Sequence, residues 1–265
     1  MIISYFPTGG SSPSSTGGNL EKMSWSEISA ISLAHSARDY FSIGDTKSFT
    51  LEGNTYHARI IGFEHDVKSI VDGSKVYAGI TFETVEMYPT TTVYYDKSKD
   101  TKNIVYWGGD PDGLSSVTLY ESTMRSVTMP KILSAMPSDL QSVIVPVQKS
   151  YHITRLDSGD TKYIAQVQDS VFLLAAIELG YATTTANSYE GETYEYYANC
   201  RQFDRIKGLV TSETDASLTA RTRWTRTAYV ASSTGNYAYV VTSVGGAGNG
   251  VVAGATRYFS FAFCV

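Results

Sequence analysis

The last nine residues, RYFSFAFCV, constrain the fold more than any other stretch. Phe259, Phe261, Phe263 and Val265 alternate with Tyr258, Ser260, Ala262 and Cys264. A period of two over the whole run is the signature of a β-strand with one face in a core. A chain that ends on such a strand tucks its C-terminus into the domain.

Other stretches carry the same period. In KSFTLEGNTYHARIIGF two β-type runs flank Gly53-Asn54, a good hairpin turn, and VYAGITFETVEM alternates again. KSYHITRLDSGDTKYIAQVQD reads as a hairpin closed around Asp157–Asp160. Helices are short by comparison. Ser24 and Glu27 have capping-box spacing, and Trp25, Ile28, Ile31 and Ala34 follow at helical spacing, which predicts a helix over about residues 25–38. In YESTMRSVTMPKILSAMPSDLQ, Pro130 and Pro137 each suit the first turn of a new helix, so several short helices are expected there. SVFLLAAIELG fits a buried strand or a short helix equally well.

Polar stretches separate these elements. Thr8–Asn19 contains only Gly, Ser, Thr, Pro and Asn, so residues 1–20 read as a flexible segment ahead of one domain over 21–265. A polar loop is expected over Lys97–Asp110, with Gly108, Gly109 and Gly113 marking tight turns near its end. YATTTANSYEGETYEYYANCRQFDRIKG reads as a mobile polar segment.

Composition narrows the function. The net charge of −5 and the lack of a long basic run argue against a nucleic-acid partner held by bulk electrostatics. The two cysteines, Cys200 and Cys264, could form one disulfide but cannot build a zinc cage or a disulfide-dense scaffold, and buried free thiols are the default expectation. The start MIISYFPTGG lacks a basic region and a long apolar run, so no signal peptide is expected. No stretch is apolar enough for membrane insertion. Charged residues make up only 18% while tyrosine occurs 20 times, a balance that suits an all-β or α+β binding surface better than an enzyme.

Three constellations could carry chemistry. His65 and Asp66 in FEHDV, with Asp72, offer an imidazole and carboxylate near a turn, but a metal site needs more convergence than this, and the simpler reading is a loop cap in which Asp66 accepts backbone amides. Glu190, Glu192 and Glu195 in YEGETYEYY could supply a glycosidase pair, or a solvated loop over a hydrophobic floor. In ARTRWTRTAYV, Arg221, Arg223 and Arg226 surround Trp224. They could bind an anion, stack on the indole, or serve structurally with at least one partly buried against carbonyls or an acid. The structural reading is preferred. After Ala228 the only charged residue is Arg257. No cofactor or metal is expected.

Taken in order, these blocks resemble a domain family common in phage and prophage tail genes of gut Firmicutes and their relatives. SWSEISAISLAHSARDYFSIGDTKSFTL is similar to its opening W-x-x-I … F-x-V-G-D-x-K motif, and IIGFEHD to I-x-G-F-x-H-D. STMRS followed by MPSDLQSVIVPVQK, VFLLAAIELG followed by EGETYEYY, and finally RWTRTA and YFSFAFCV fall at the matching places. Departures lie at Arg223, where the family has a second tryptophan, at Thr227-Ala228 for Ser-Pro, and at Phe261-Ala262 for Pro-x. The ending also resembles C-type-lectin-like domains, including the variable proteins that diversity-generating retroelements alter in phages.

The resemblance implies an α+β fold of C-type-lectin-like type, a twisted antiparallel sheet with short packed helices in a single domain. It implies a non-catalytic receptor-binding protein of the virion tail, with adhesion and host recognition as its role. Its partners would be a bacterial surface carbohydrate or protein and other tail subunits, and a homo-oligomer would suit such a setting. Tyr229, Ser232, Ser233, Asn236, Tyr237, Tyr239 and Asn249 would touch the ligand. Trp224, Arg226, Trp25 and Arg125 would be structural anchors. A structural tail-tip or fibre module, and a surface-polysaccharide hydrolase, stand as alternatives.

Overall fold

The computed structural model describes residues 20–88, 92–93, 122–152, 164–182, 188–198, 200–208, 221–229, 237–252 and 256–265. A 3-10 turn at Leu20–Lys22 leads into helices α1 (Trp25–Leu33) and α2 (Ala37–Tyr40). Strands β1 (Thr46–Leu51), β2 (Asn54–Phe63), β3 (Val67–Val71), β4 (Ser74–Tyr77), β5 (Ile80–Thr84) and β6 (Thr92–Val93) come next. Helices α3 (Met129–Ala135) and α4 (Ser138–Gln141) precede β7 (Val147–His152), β8 (Ile164–Asp169) and β9 (Val171–Phe172). Helix α5 (Glu195–Ala198) and strands β10 (Arg223–Tyr229), β11 (Tyr237–Val241), β12 (Ala247–Val252), β13 (Thr256–Arg257) and β14 (Ala262–Cys264) complete the described chain.

Local chemistry explains the boundaries. Ser24 caps α1 by accepting from the Glu27 amide while the Glu27 carboxylate takes the Ser24 amide, so two orphan donors are satisfied reciprocally. The helix stops at Leu33, short of the expected residue 38, because His35 turns left-handed at φ 54°. Ala37–Tyr40 then forms a separate turn. The β1–β2 hairpin closes through Glu52 (φ 50°) and Gly53 (φ 79°), a pair of positive φ values that matches the right-handed twist of the strands. The turn thus sits one residue earlier than the Gly53-Asn54 reading. Pro130 lies in the first turn of α3, directly after a π-helical turn at Met124–Thr128, and Pro137 caps α4 from just outside it. SVFLLAAIELG becomes neither a long strand nor a helix: only Val171–Phe172 is extended, and hydrogen-bonded turns follow. β7 and β8 pair as expected, while Asp157–Asp160 lies outside the described residues. So do Thr8–Asn19 and Lys97–Asp110; Leu20 is already buried in the core.

The main sheet has five strands in the order β1-β2-β5-β14-β9, and each pairing in it is antiparallel. A three-stranded antiparallel sheet, β10-β11-β12, lies beside it. The fold is therefore α+β with mostly antiparallel sheets and few helices. The chain's terminal strand β14 is central rather than peripheral, flanked by β5 and β9.

That position corrects one expectation. The alternation in RYFSFAFCV is real, but both faces of β14 are buried. Phe259, Phe261, Phe263 and Val265 enter a core with Trp25, Ile28, Phe49 and Phe82. Ala262 and Cys264 enter a second core with Ile61, Val147, Phe172, Tyr194 and Tyr197. Small side chains on one face leave room for the second layer, and the two cores on one sheet make a single domain. The first core is aromatic: Trp25 meets Phe82 edge-on at 5.5 Å, and Phe82 stacks on Phe263 at 5.5 Å. Of the continuous strand expected from Tyr258 onward only Ala262–Cys264 is in a ladder, paired with β5 and β9, while Tyr258 makes an isolated bridge to Arg223.

A second correction concerns residues 181–208, read as a mobile polar segment. In its described parts it is packed. Tyr194, Tyr197, Arg205 and Lys207 are buried, with Tyr194 directly before the helical turn α5 and Tyr197 within it.

Candidate functional site

Strand β10 is buried from Arg223 to Thr227. Burying two guanidinium groups is costly unless each finds charged and hydrogen-bonded partners, and those partners organise the centre of the molecule.

Arg226, only 1% exposed, forks onto the Glu178 carboxylate: Nη2 donates to Oε1 at 2.8 Å and Nη1 to Oε2. Its remaining donors reach the carbonyls of Leu173 at 3.1 Å, Ser150 at 3.4 Å and Glu190. Glu178 accepts further from the Ala175 amide at 2.9 Å and the Lys149 ammonium at 3.1 Å. Lys149 also donates to Asp66 and to the Tyr194 hydroxyl at 2.9 Å, and its ammonium lies 3.9 Å from the centre of the Phe172 ring. Asp66 accepts from Thr81 at 2.6 Å and Tyr194 at 2.8 Å. Six separate segments converge here. Gly191, at φ 140°, lets its turn lie against Glu178, where a Cβ would fall 2.8 Å from Oε1.

Arg223 heads a second cluster. Its Nη1 donates to Glu83 at 3.2 Å and to the Ser260 hydroxyl at 2.7 Å, and Ser260 donates on to Glu83 at 3.0 Å. Tyr197 and Lys207 meet the other Glu83 oxygen, and Lys207 also donates to the Thr84 carbonyl.

Ionisation follows from the pairing. Burial alone would raise the Asp66 carboxyl, but the Lys149 charge beside it holds it well below the usual range. Glu178 is likewise lowered against burial by Arg226 and Lys149, and Glu83 by Lys207 and Arg223. Lys207 goes the other way. Burial pushes it down to about 7, with Arg223 and Arg59 adding to the shift and Glu83 opposing it.

This makes stability depend on pH with a defined sign. In the unfolded chain Lys207 titrates near the ordinary lysine value of about 10.4. Above pH 7 the unfolded state therefore binds the extra proton, so this lysine's contribution grows as pH rises and is lost below pH 7. Urea denaturation at pH 6.5 and 8.5 is expected to show wild type gaining stability relative to Lys207→Met at the higher pH. An identical pH response in the two proteins would mean that Lys207 is charged throughout.

The residues expected to act together are distributed as follows. Trp25, Trp224 and Arg226 are buried, and Arg125 donates through Nε to Asp169 at 2.7 Å. One ring beside Arg226 is that of Tyr151, 5.8 Å away. Arg221 is exposed. Tyr229, Tyr237 and Asn249 lie on β10, β11 and β12, with Tyr229 directly opposite Tyr237. Tyr239 is buried. Ser232, Ser233 and Asn236 lie outside the described residues. Asp66 is not the loop cap expected of it, since its carboxylate is claimed by buried side chains. The three candidate glutamates are spread: Glu190 is buried, Glu192 is exposed, and Glu195 pairs with Arg38 at 2.7 Å on the surface. Among the described residues no group of three or more His, Cys, Asp or Glu side chains could hold a metal ion, and no helix is long and apolar enough to cross a membrane.

Sequence reasoning missed Lys149, Glu178, Glu83 and Lys207. A signal existed for two of them. Glu178 in FLLAAIELG and Glu83 in GITFETV are lone charges inside apolar runs, a pattern that asks for a buried partner.

Residues 91–259, more than half of the chain, match a family described as a domain of unknown function (DUF6273), and the chain belongs to that family. No curated protein and no solved structure matches it.

Proposed function

We propose that the protein is a non-catalytic ligand-binding module of a phage or prophage tail, recognising a carbohydrate or protein on a bacterial surface. One observation carries this reading: β10 is locked by two buried arginine–carboxylate clusters just before the chain enters its uncharged Tyr-, Ser- and Asn-rich run. A strand fixed so firmly is a suitable base for a recognition segment, because a preorganised surface loses little entropy on binding. The paired carboxylates support the same reading. Both oxygens of Glu178 and of Asp66 already accept hydrogen bonds, so neither is poised as a general base. A C-type-lectin-like arrangement goes with this proposal, supported by the central C-terminal strand and the separate β10-β11-β12 sheet.

The test is retention of the full chain on intact bacteria and on an array of surface glycans. Saturable binding without release of reducing sugar is expected. Turnover of a reporter polysaccharide that disappears in Glu190→Gln or Glu195→Gln would replace the reading with a hydrolase.

A further inference from the structure

A cleft of about 290 Å³ opens above the Arg226–Glu178–Lys149–Asp66 network. One wall is the β7–β8 ribbon, where Gln148 and Ser150 face Gln168 and Gln166 across the register. The opposite wall is the β3–β4 hairpin, which contributes Val67, Ile70 and Tyr77. The turn around Gly191 closes a third side.

The floor offers little to an ion. The three protons of Lys149 go to Asp66, Glu178 and Tyr194, and the Arg226 donors go to Glu178 and three carbonyls. The ionic lining is also close to balanced, with Asp66, Glu178, Glu190 and Glu192 against Lys75, Lys149 and Arg226. Beside Lys75, Glu190 and Glu192, what the walls offer is neutral. Gln148 and Gln166 each bring an acceptor and two donors, the combination that hydroxyl groups satisfy best. Across from them stand an aromatic ring and apolar surface, including Ile70, which is 56% exposed. An amphipathic neutral ring with hydroxyls at its edge and C–H groups on its face meets both walls. The volume lies at the small end of ligand sites and suits one ring rather than an oligosaccharide.

We propose that this cleft is a binding site for a single uncharged pyranose, separate from the β10–β12 recognition segment and independent of that reading. The Gln148 and Gln166 amides bond the hydroxyls, Tyr77 and Ile70 cover the ring face, and the paired ions beneath hold the floor rigid.

Saturation-transfer NMR on the full chain tests this, with glucose, galactose and N-acetylglucosamine as probes and inorganic phosphate and ethanolamine as charged controls. At least one sugar is expected to bind saturably at millimolar concentration or below, with neither control competing. Gln166→Trp, which fills the cleft from an exposed strand position, is expected to weaken binding at least tenfold with an unchanged melting temperature. Gln148→Ala should weaken it about fivefold, and it decides the matter if Gln166→Trp misfolds. Tyr237→Ala should leave it unchanged. The proposal is overturned if no sugar binds, if phosphate or ethanolamine displaces the sugar, or if binding survives both glutamine variants. Sugar binding lost in Tyr237→Ala alone would also overturn it while leaving the recognition segment in place.

Discussion

Arg226→Ala is expected to lower the unfolding free energy by about 3–5 kcal/mol, the usual cost of removing one partner from a buried ion pair. The loss has little to do with the Coulomb energy of the pair. Removing the guanidinium leaves Glu178 buried with Lys149 as its only cation and strips the Leu173, Ser150 and Glu190 carbonyls of a donor. Uncompensated desolvation dominates. Arg226→Lys should recover less than half, because an ammonium cannot reproduce the fork that spans both Glu178 oxygens. Combining Arg226→Met with Glu178→Gln should be milder than Arg226→Ala, since both charges then leave together. Urea denaturation followed by tryptophan fluorescence measures all three. A cost below about 1 kcal/mol for Arg226→Ala, typical of an exposed pair, would show that the site is open to water.

The second large effect is expected in the terminal strand. Phe263 is fully buried between Trp25, Phe49 and Phe82, with ring centres 6.0, 6.3 and 5.5 Å away. Phe263→Ala should cost about 3–5 kcal/mol through lost transfer energy and a cavity that central strands cannot close. Cys264→Ala, on the opposite face of the same strand, removes one sulfur from the second core and should cost about 1 kcal/mol, in keeping with roughly one buried CH2-sized group. Equal costs at the two positions would contradict the layered arrangement.

What could be read from sequence was local, and what could not was long-range. The Ser24–Glu27 cap, the β1–β2 turn and the Phe alternation each depend on residues within a few positions, so their chemistry is visible in the string. Helix α1 was overextended because the left-handed turn at His35 has no glycine or proline to announce it. The second covered face of β14 was hidden because Ala262 and Cys264 do not read as a hydrophobic face until Tyr194, Tyr197 and Val147 arrive from elsewhere. The same limit applies to the ion pairs. Arg226 stands 48 residues from Glu178, and Asp66 stands 83 from Lys149. Sequence could mark the arginines as structural, but only the topology names their partners. Tyr194 and Tyr197 looked like part of a polar loop because their hydroxyls are written beside glutamates. In the fold those hydroxyls are buried against Asp66 and Glu83.

The most direct test of the recognition reading pairs two numbers on one variant, Tyr237→Ala: its melting temperature and its retention on bacteria that bind the wild-type chain. A melting temperature within a degree or two of wild type is expected, with retention reduced at least tenfold. A variant that unfolds would place Tyr237 in the core, and a stable variant that still binds would remove the β10–β12 segment from recognition.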